Sequence, residues 1–276
     1  MSDLAYAATP GHRSRWRTVL DTCAAYVRID LVEERMFPAT TVLRYASVVF
    51  PVLLYFFQGT FLDTRDAFVF MLIGASVTAG FQEALTALTN RLYFAQERGM
   101  LETYLVEPVP WALIPLAMNI WRSITGTLMA CFMVGFGCLL GARIEWQAIP
   151  LALLVFAVGI VACNAIGTLA ASFIILFKRG DPIIMLYSLA AAVLGGTLFP
   201  VSVLPDWIRW VSYLVPHSYV ISAERQLLMS DPPADGLSPG VSLLLLTCFS
   251  AVAMVIGLLV FDGSLKLARR LGILSI

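Results

Sequence analysis

Apolar residues fall in six long runs, at about 44–62, 67–90, 112–141, 149–177, 184–227 and 240–262, divided by short polar stretches. A helix crossing the roughly 30 Å hydrocarbon core of a bilayer needs about 20 apolar residues. The first four runs and the last fit one spanning helix each. The fifth is too long for a single helix and is interrupted by Gly195, Gly196, Pro200, Pro205 and Pro216. Proline ends helices because it lacks an N–H and its ring clashes with the carbonyl four residues back. Ahead of the first run, residues 14–43 set Val19, Leu20, Cys23, Ala24, Val27 and Leu31 at helical spacing, with Arg28, Asp30, Glu33, Glu34 and Arg35 opposite. That pattern predicts an amphipathic helix on a membrane surface, ended at Pro38. Residues 1–13 show no periodicity and are expected to be disordered.

The link between the second and third runs is the least economical part of the chain. A few residues would join two spans, yet the segment from Asn90 to Trp111 uses about twenty. It carries Glu97, Arg98, Glu102 and Glu107, has Leu92, Met100, Leu101 and Leu105 at helical spacing, and stops at Pro108 and Pro110. The expectation is a short amphipathic helix over 91–110, held at the membrane surface as a docking point for something outside the membrane.

Composition agrees with a bilayer setting. The chain is 59% hydrophobic and 13% charged, with a mean hydropathy of +0.84, against about 45–50% apolar and about 25% charged in soluble domains. The formal net charge is zero, so no global field points to nucleic acid. There is no GxxxxGK[ST] segment and hence no phosphate-binding loop. The five cysteines show no CxxC pair or Cys/His cluster and read as small apolar residues. The polar start of the chain is unlike a cleavable leader. No paired carboxylates, triad or metal-ligand spacing is present, so no catalytic, cofactor-binding or metal residue is assigned.

Charge sets the expected topology, because basic residues favour the cytoplasmic side. Arg13, Arg15, Arg17, Arg28, Arg35 and Arg44 precede the first run; Arg91 and Arg98 lie in the long link; Lys178 and Arg179 follow the fourth run; Lys266, Arg269 and Arg270 are in the tail. The alternate loops hold only Arg65, Arg143, Arg209 and Arg225. Both termini are therefore expected in the cytoplasm, with an even number of crossings. The 184–227 run then contributes one crossing and a re-entrant segment at about 200–227, in which Trp207 and Trp210 suit the headgroup level. The expected fold is all-α: an interface helix, six spans in one transmembrane domain over 44–276, and an outer re-entrant hairpin before the last span.

These features together resemble the permeases of type-2 ABC exporters, which include drug, lipo-oligosaccharide and polysaccharide exporters. Glu97-Arg98-Gly99-Met100-Leu101-Glu102 with Pro108 is similar to the family's E-x-G-T-L-E…P stretch, with Met100 where threonine is usual. Leu198-Phe199-Pro200 through Leu204-Pro205, Trp207 and Pro216 resembles the family's F-P-x-x-x-L-P…P segment. The layout matches along nearly the whole chain. The resemblance implies a bacterial inner-membrane transport subunit that is not itself an enzyme. It pairs with a second permease chain, identical or related, and with two ATPase subunits that hold the ATP and magnesium. It also implies ATPase contacts at Glu97, Arg98, Gly99, Leu101 and Glu102, and at Lys178, Arg179 and Asp181. The implied cargo is an amphipathic or hydrophobic molecule, drug or lipid-like; the runner-up is a lipid-linked glycan. Rivals of other classes are an ion-driven carrier, which would need inverted repeats, and a membrane-embedded lipid-modifying enzyme.

Several residues carry open readings. Arg122, about ten residues into the third run, either snorkels to the inner interface, pairs with Glu83 as a bridge or gate, or meets cargo. Asn164 and Thr168 share a helix face and either bond between helices or line a path. Glu224 and Arg225 either pair with neighbours near the outer leaflet or face an exit route shared with Phe199, Pro200, Pro205, Trp207 and Pro216. His217 reads as a satisfied structural histidine.

Overall fold

Proline placement explains the first break in the structure. In the computed structural model, which describes residues 15–61, 65–97, 113–177, 181–233 and 237–271, every regular element is helical. Helix α1 (Arg15–Met36) stops at Phe37, and Pro38 opens α2 (Pro38–Ser47) at the first helical position, where a missing N–H costs nothing. Helix α3 (Val49–Phe61) follows after a turn at Val48. Pro51 accounts for that turn: its ring crowds the carbonyl of Ser47, four residues back. The amphipathic helix expected to end at Pro38 stops at Met36, and residues 38–43 instead begin α2, which joins α3 in a candidate span, Pro38–Phe61.

Helix α4 (Arg65–Glu97) is one continuous element. At 1.5 Å per residue it is about 50 Å long, well beyond the hydrocarbon core. The separate surface helix that the pattern predicts does not begin at residue 91: residues 91–97 are the last turns of α4. They stay helical because Leu92 and Ala95 are buried and Arg91 finds a carboxylate on α1. The rest of that segment, residues 98–112, lies outside the described residues.

Helix α5 (Leu113–Leu139) ends in a Schellman turn: Ala142 N–H donates to Gly137 O and Gly141 N–H to Cys138 O, both at 3.0 Å. Gly141 sits at φ +103°, a conformation that favours glycine. Helix α6 (Ile149–Phe177) is the centre of the bundle, packed against α10, α4 and α9. Its buried face is rich in small residues, including Ala162, Cys163, Ala165, Ala170 and Ala171, which lets neighbouring backbones approach closely.

The fifth apolar run divides into three helices. Helix α7 (Asp181–Leu194) has 14 residues, about 21 Å at the helical rise. After a 3₁₀ turn at Val201–Val203 come α8 (Asp206–Ser212) and α9 (Pro216–Leu228). Pro200 and Pro205 stand immediately before the 3₁₀ turn and α8, and Pro216 opens α9, so each proline stands at the start of an element. Helix α10 (Pro239–Arg270) closes the fold, with Arg269 and Arg270 in its last turn, where positive charge complements the helix dipole. Among the described residues, five segments are long and apolar enough to cross a membrane: Pro38–Phe61, Asp66–Ala95, Leu113–Leu139, Trp146–Phe177 and Pro239–Arg270. Helix α7, where the sixth span was expected, is shorter than these.

A close backbone crossing joins α4 to α5. A methyl group at Gly126 would stand 2.4 Å from Gly80 O, and one at Gly80 would stand 2.8 Å from Gly126 O. Lipid chains are as apolar as leucine, so helices in a bilayer associate through such close packing. Gly126→Leu is expected to destabilise the protein by about 1–3 kcal/mol, read as a lower unfolding temperature in detergent. Gly135→Ala, where nothing lies within 4 Å, should leave that temperature unchanged or slightly raised; equal effects from the two would mean that α4 and α5 do not cross at Gly126.

Candidate functional site

The glycine crossing places two charges side by side. Glu83 is one turn beyond Gly80 on α4, and Arg122 is one turn before Gly126 on α5, so the antiparallel contact brings their side chains together. The Glu83 carboxylate lies 3.6 Å from Arg122 and 3.9 Å from Arg44 of α2, and Arg44 reaches Glu34 of α1 at 3.3 Å. The series Glu34, Arg44, Glu83, Arg122 alternates in sign, so each charge has an opposite neighbour. That relation offsets the cost of holding charge near a bilayer.

Beside this chain Arg91 pairs with Asp30 of α1. The guanidinium also stands 5.8 Å from the centre of the Tyr26 ring. Asp30 was expected on the polar face of α1, yet it is 2% exposed and faces the bundle. Burial pushes its carboxyl above the ordinary range, and the charges of Arg91 and Arg122 pull it back. A cavity of about 550 Å³ opens between α1, α4 and α5, lined by Tyr26, Glu33, Glu83, Asn90, Arg91 and Arg122.

A second polar site lies towards the other end of the bundle. Arg225 of α9 donates to Phe70 O through Nε at 3.3 Å and Nη2 at 3.1 Å, and to Thr197 O at 2.8 Å. Its guanidinium stacks 3.3 Å above the Phe70 ring. Thr197 belongs to the break after α7, so Arg225 ties that break to α4. Thr78 and Thr197 add a hydroxyl–hydroxyl bond of 3.0 Å. Arg209 binds the turn before α8, donating to Ser202 O at 2.8 Å and Leu204 O at 3.0 Å. The bonds to Thr197 O, Ser202 O and Leu204 O satisfy carbonyls that irregular backbone leaves open.

Of the residues singled out for a gate or path, Glu83 and Arg122 meet directly. Asn164 is close by: its amide donates to Ser123 Oγ at 3.1 Å, one residue along α5 from Arg122. Pro216 is buried at the start of α9, Phe199 and Pro200 are partly buried, and Pro205 and Trp207 are exposed. Glu224, beside Arg225 in the chain, lines a separate cavity. His217 packs edge-on against Phe81 and meets Tyr187 Oη at 3.1 Å. Arg98, Gly99, Leu101, Glu102, Lys178 and Arg179 lie outside the described residues. Of Glu97 and Asp181, at the end of α4 and the start of α7, only the backbone falls within them. Sequence reasoning missed the Asp30–Arg91 pair and the share of Arg44 and Glu34 in the charge chain. The one available signal was Asp30 four residues after Tyr26 on a helix bound for a surface.

A model of the ABC-2 type transporter family matches residues 34–229. The match takes in α2 to α9 and both ends of the charge chain. No curated protein matches the chain.

Two measurements test this geometry. A double-mutant cycle with Glu83→Gln and Arg122→Gln should give a coupling of about 1 kcal/mol in unfolding free energy; additive effects would show that the two charges do not meet. Arg225→Lys loses the planar fork that serves two carbonyls and should destabilise by about 1–3 kcal/mol. Unchanged stability would mean that Phe70 and Thr197 do not depend on Arg225.

Proposed function

The chain belongs to the ABC-2 type transporter family, and on that premise we propose that it is the membrane half of an ATP-driven exporter. It moves an amphipathic or hydrophobic molecule, drug or lipid-like, out across the bacterial cytoplasmic membrane. The observation that carries this reading is the family match over residues 34–229. Membership sets the chain among ABC permeases rather than ion-driven carriers or lipid-modifying enzymes. The length of α4 supports the docking role: the helix outruns the hydrocarbon core and carries its end at Glu97 beyond the membrane.

In this reading two permease chains pair, and two separate ATPase subunits bind ATP and magnesium. They dock on the Glu97–Glu102 stretch and on the Lys178–Asp181 link. Both termini lie in the cytoplasm, with α1 along the inner surface, where Leu20, Ile29, Val32 and Met36 remain exposed to lipid. Even parity requires a sixth crossing, and α7 supplies it, with the turn at Gly195 and Gly196 at its end. Helices α8 and α9 form the re-entrant hairpin. The register of α9 supports this: Val220 packs at Gly159, well inside α6, whereas Leu228 O accepts from Glu145 N at 3.0 Å in the loop before α6. Trp146, Trp207 and Trp210 are exposed near that face, as an aromatic belt requires. Glu34, Arg44, Glu83 and Arg122 hold α1 and α2 to the span pair that carries the docking segment. Closure of the ATPases then reaches the bundle through α4.

Glu102→Arg is expected to insert normally and to lower ATP-driven transport about tenfold or more in proteoliposomes holding the whole complex. Affinity purification of the tagged chain from native membranes in mild detergent should bring down a phosphate-loop ATPase at one copy per permease. That ATPase should be lost when Glu97 and Glu102 are both reversed in charge. Recovery of the chain without any ATPase would overturn the exporter reading, and full transport by the Glu102 variant would remove the docking role.

A further inference from the structure

Glu224 and Arg225 are adjacent on α9 and equally buried, at 5% and 4% exposure, yet only the arginine is satisfied. Among the described residues the Glu224 carboxylate has neither a hydrogen-bond nor an ion-pair partner. It lines a cavity of about 240 Å³ between α5 and α6, floored by α4 and α9. That volume equals roughly eight waters, enough for a small headgroup with part of its body. The walls are apolar, with Val77, Ala130, Val134, Ile149 and Phe156 among them. The two wall hydroxyls are engaged elsewhere: Ser76 donates to Ile73 O at 2.8 Å and Thr127 to Ser123 O at 2.9 Å. The rim residues Cys131, Gly135, Trp146 and Leu153 are exposed, so the cleft opens sideways from the bundle towards lipid.

A carboxylate without a partner in such a place is costly, and the cost falls when a positive charge arrives. A bare metal ion does not fit, because it needs several oxygen or nitrogen ligands and no group of three metal-binding side chains occurs among the described residues. An organic cation needs one counter-charge, apolar walls for its body and, if available, aromatic faces. Trp146 and Phe156 line the cavity. We propose that the cleft between α5 and α6 is a binding site for a lipophilic organic monocation, with its ammonium head against Glu224 and its apolar body among Val77, Ala130, Val134 and Phe156. The proposal rests on the exporter reading only in making such cations the cargo class; the site itself belongs to the single chain.

The test is equilibrium binding of radiolabelled octyltrimethylammonium to the full chain in zwitterionic lipid nanodiscs, with empty discs as background. A neutral alkyl analogue of equal length and octyl sulfate serve as competitors. The expected result is one saturable site per chain, weakened at least tenfold by Glu224→Gln, and displaced far better by unlabelled cation than by either competitor. Gly135→Phe keeps the carboxylate but fills the cavity from a position with nothing within 4 Å. It should weaken binding similarly while leaving the unfolding temperature unchanged, and it decides the matter if Glu224→Gln does not fold. Equal binding by wild type and a folded variant, or equal displacement by the neutral analogue, overturns the proposal. The assay needs no ATPase, so its failure leaves the exporter reading standing, and a purification without ATPase leaves this binding result intact.

Discussion

The backbone contact between Gly80 and Gly126 governs much of the polar architecture. In a bilayer, burial of apolar surface from water does not draw helices together; close packing and hydrogen bonding do. At this crossing each backbone carbonyl occupies the space where the other residue's side chain would begin. One turn away, the same contact presses Glu83 towards Arg122. Arg44 and Glu34 then extend the pairing to α2 and α1. Loss of the crossing would separate these charges, and separated charges at that depth are expensive.

Several other charged side chains follow the rule that buried charge finds partners inside the protein. Arg225 is the clearest case. A broken helix after α7 leaves carbonyls open, and one guanidinium serves Thr197 and Phe70 while stacking on the Phe70 ring. Asp30 and Arg91 do the same for α1 and α4. Glu224 departs from the rule, beside a cleft bordered by exposed residues of α5 and α6. Natural proteins keep such exceptions mainly at sites of function, which is why this carboxylate, rather than the larger charged cavity beside α1, carries the ligand argument.

Much of the fold was legible along the chain. Runs of about 20 apolar residues can satisfy their backbone only as helices in lipid, so the long spans were readable by length alone. Pro38 marked the end of α1, and the prolines of the fifth run marked its breaks. The Glu83–Arg122 pair was readable as one alternative, because two charges inside apolar runs have few other partners. The end of α4 was misjudged for a physical reason. Arg91 and Leu92 looked like the start of a new amphipathic helix, because Asp30, the partner of Arg91 on α1, is some sixty residues away in the chain.

That the chain belongs in a membrane and where its long helices run could be read from the residues in order, because these depend on local composition and on each segment's own length. Tertiary structure alone decided which polar residues meet. Asp30 turned inward because Arg91 was there to receive it, Arg225 was satisfied by carbonyls from two distant segments, and Glu224 was left facing an apolar cleft. Periodicity tells which face of a helix is apolar, but only the packed bundle sets what lies opposite that face, and the energy of a buried charge depends on that neighbour.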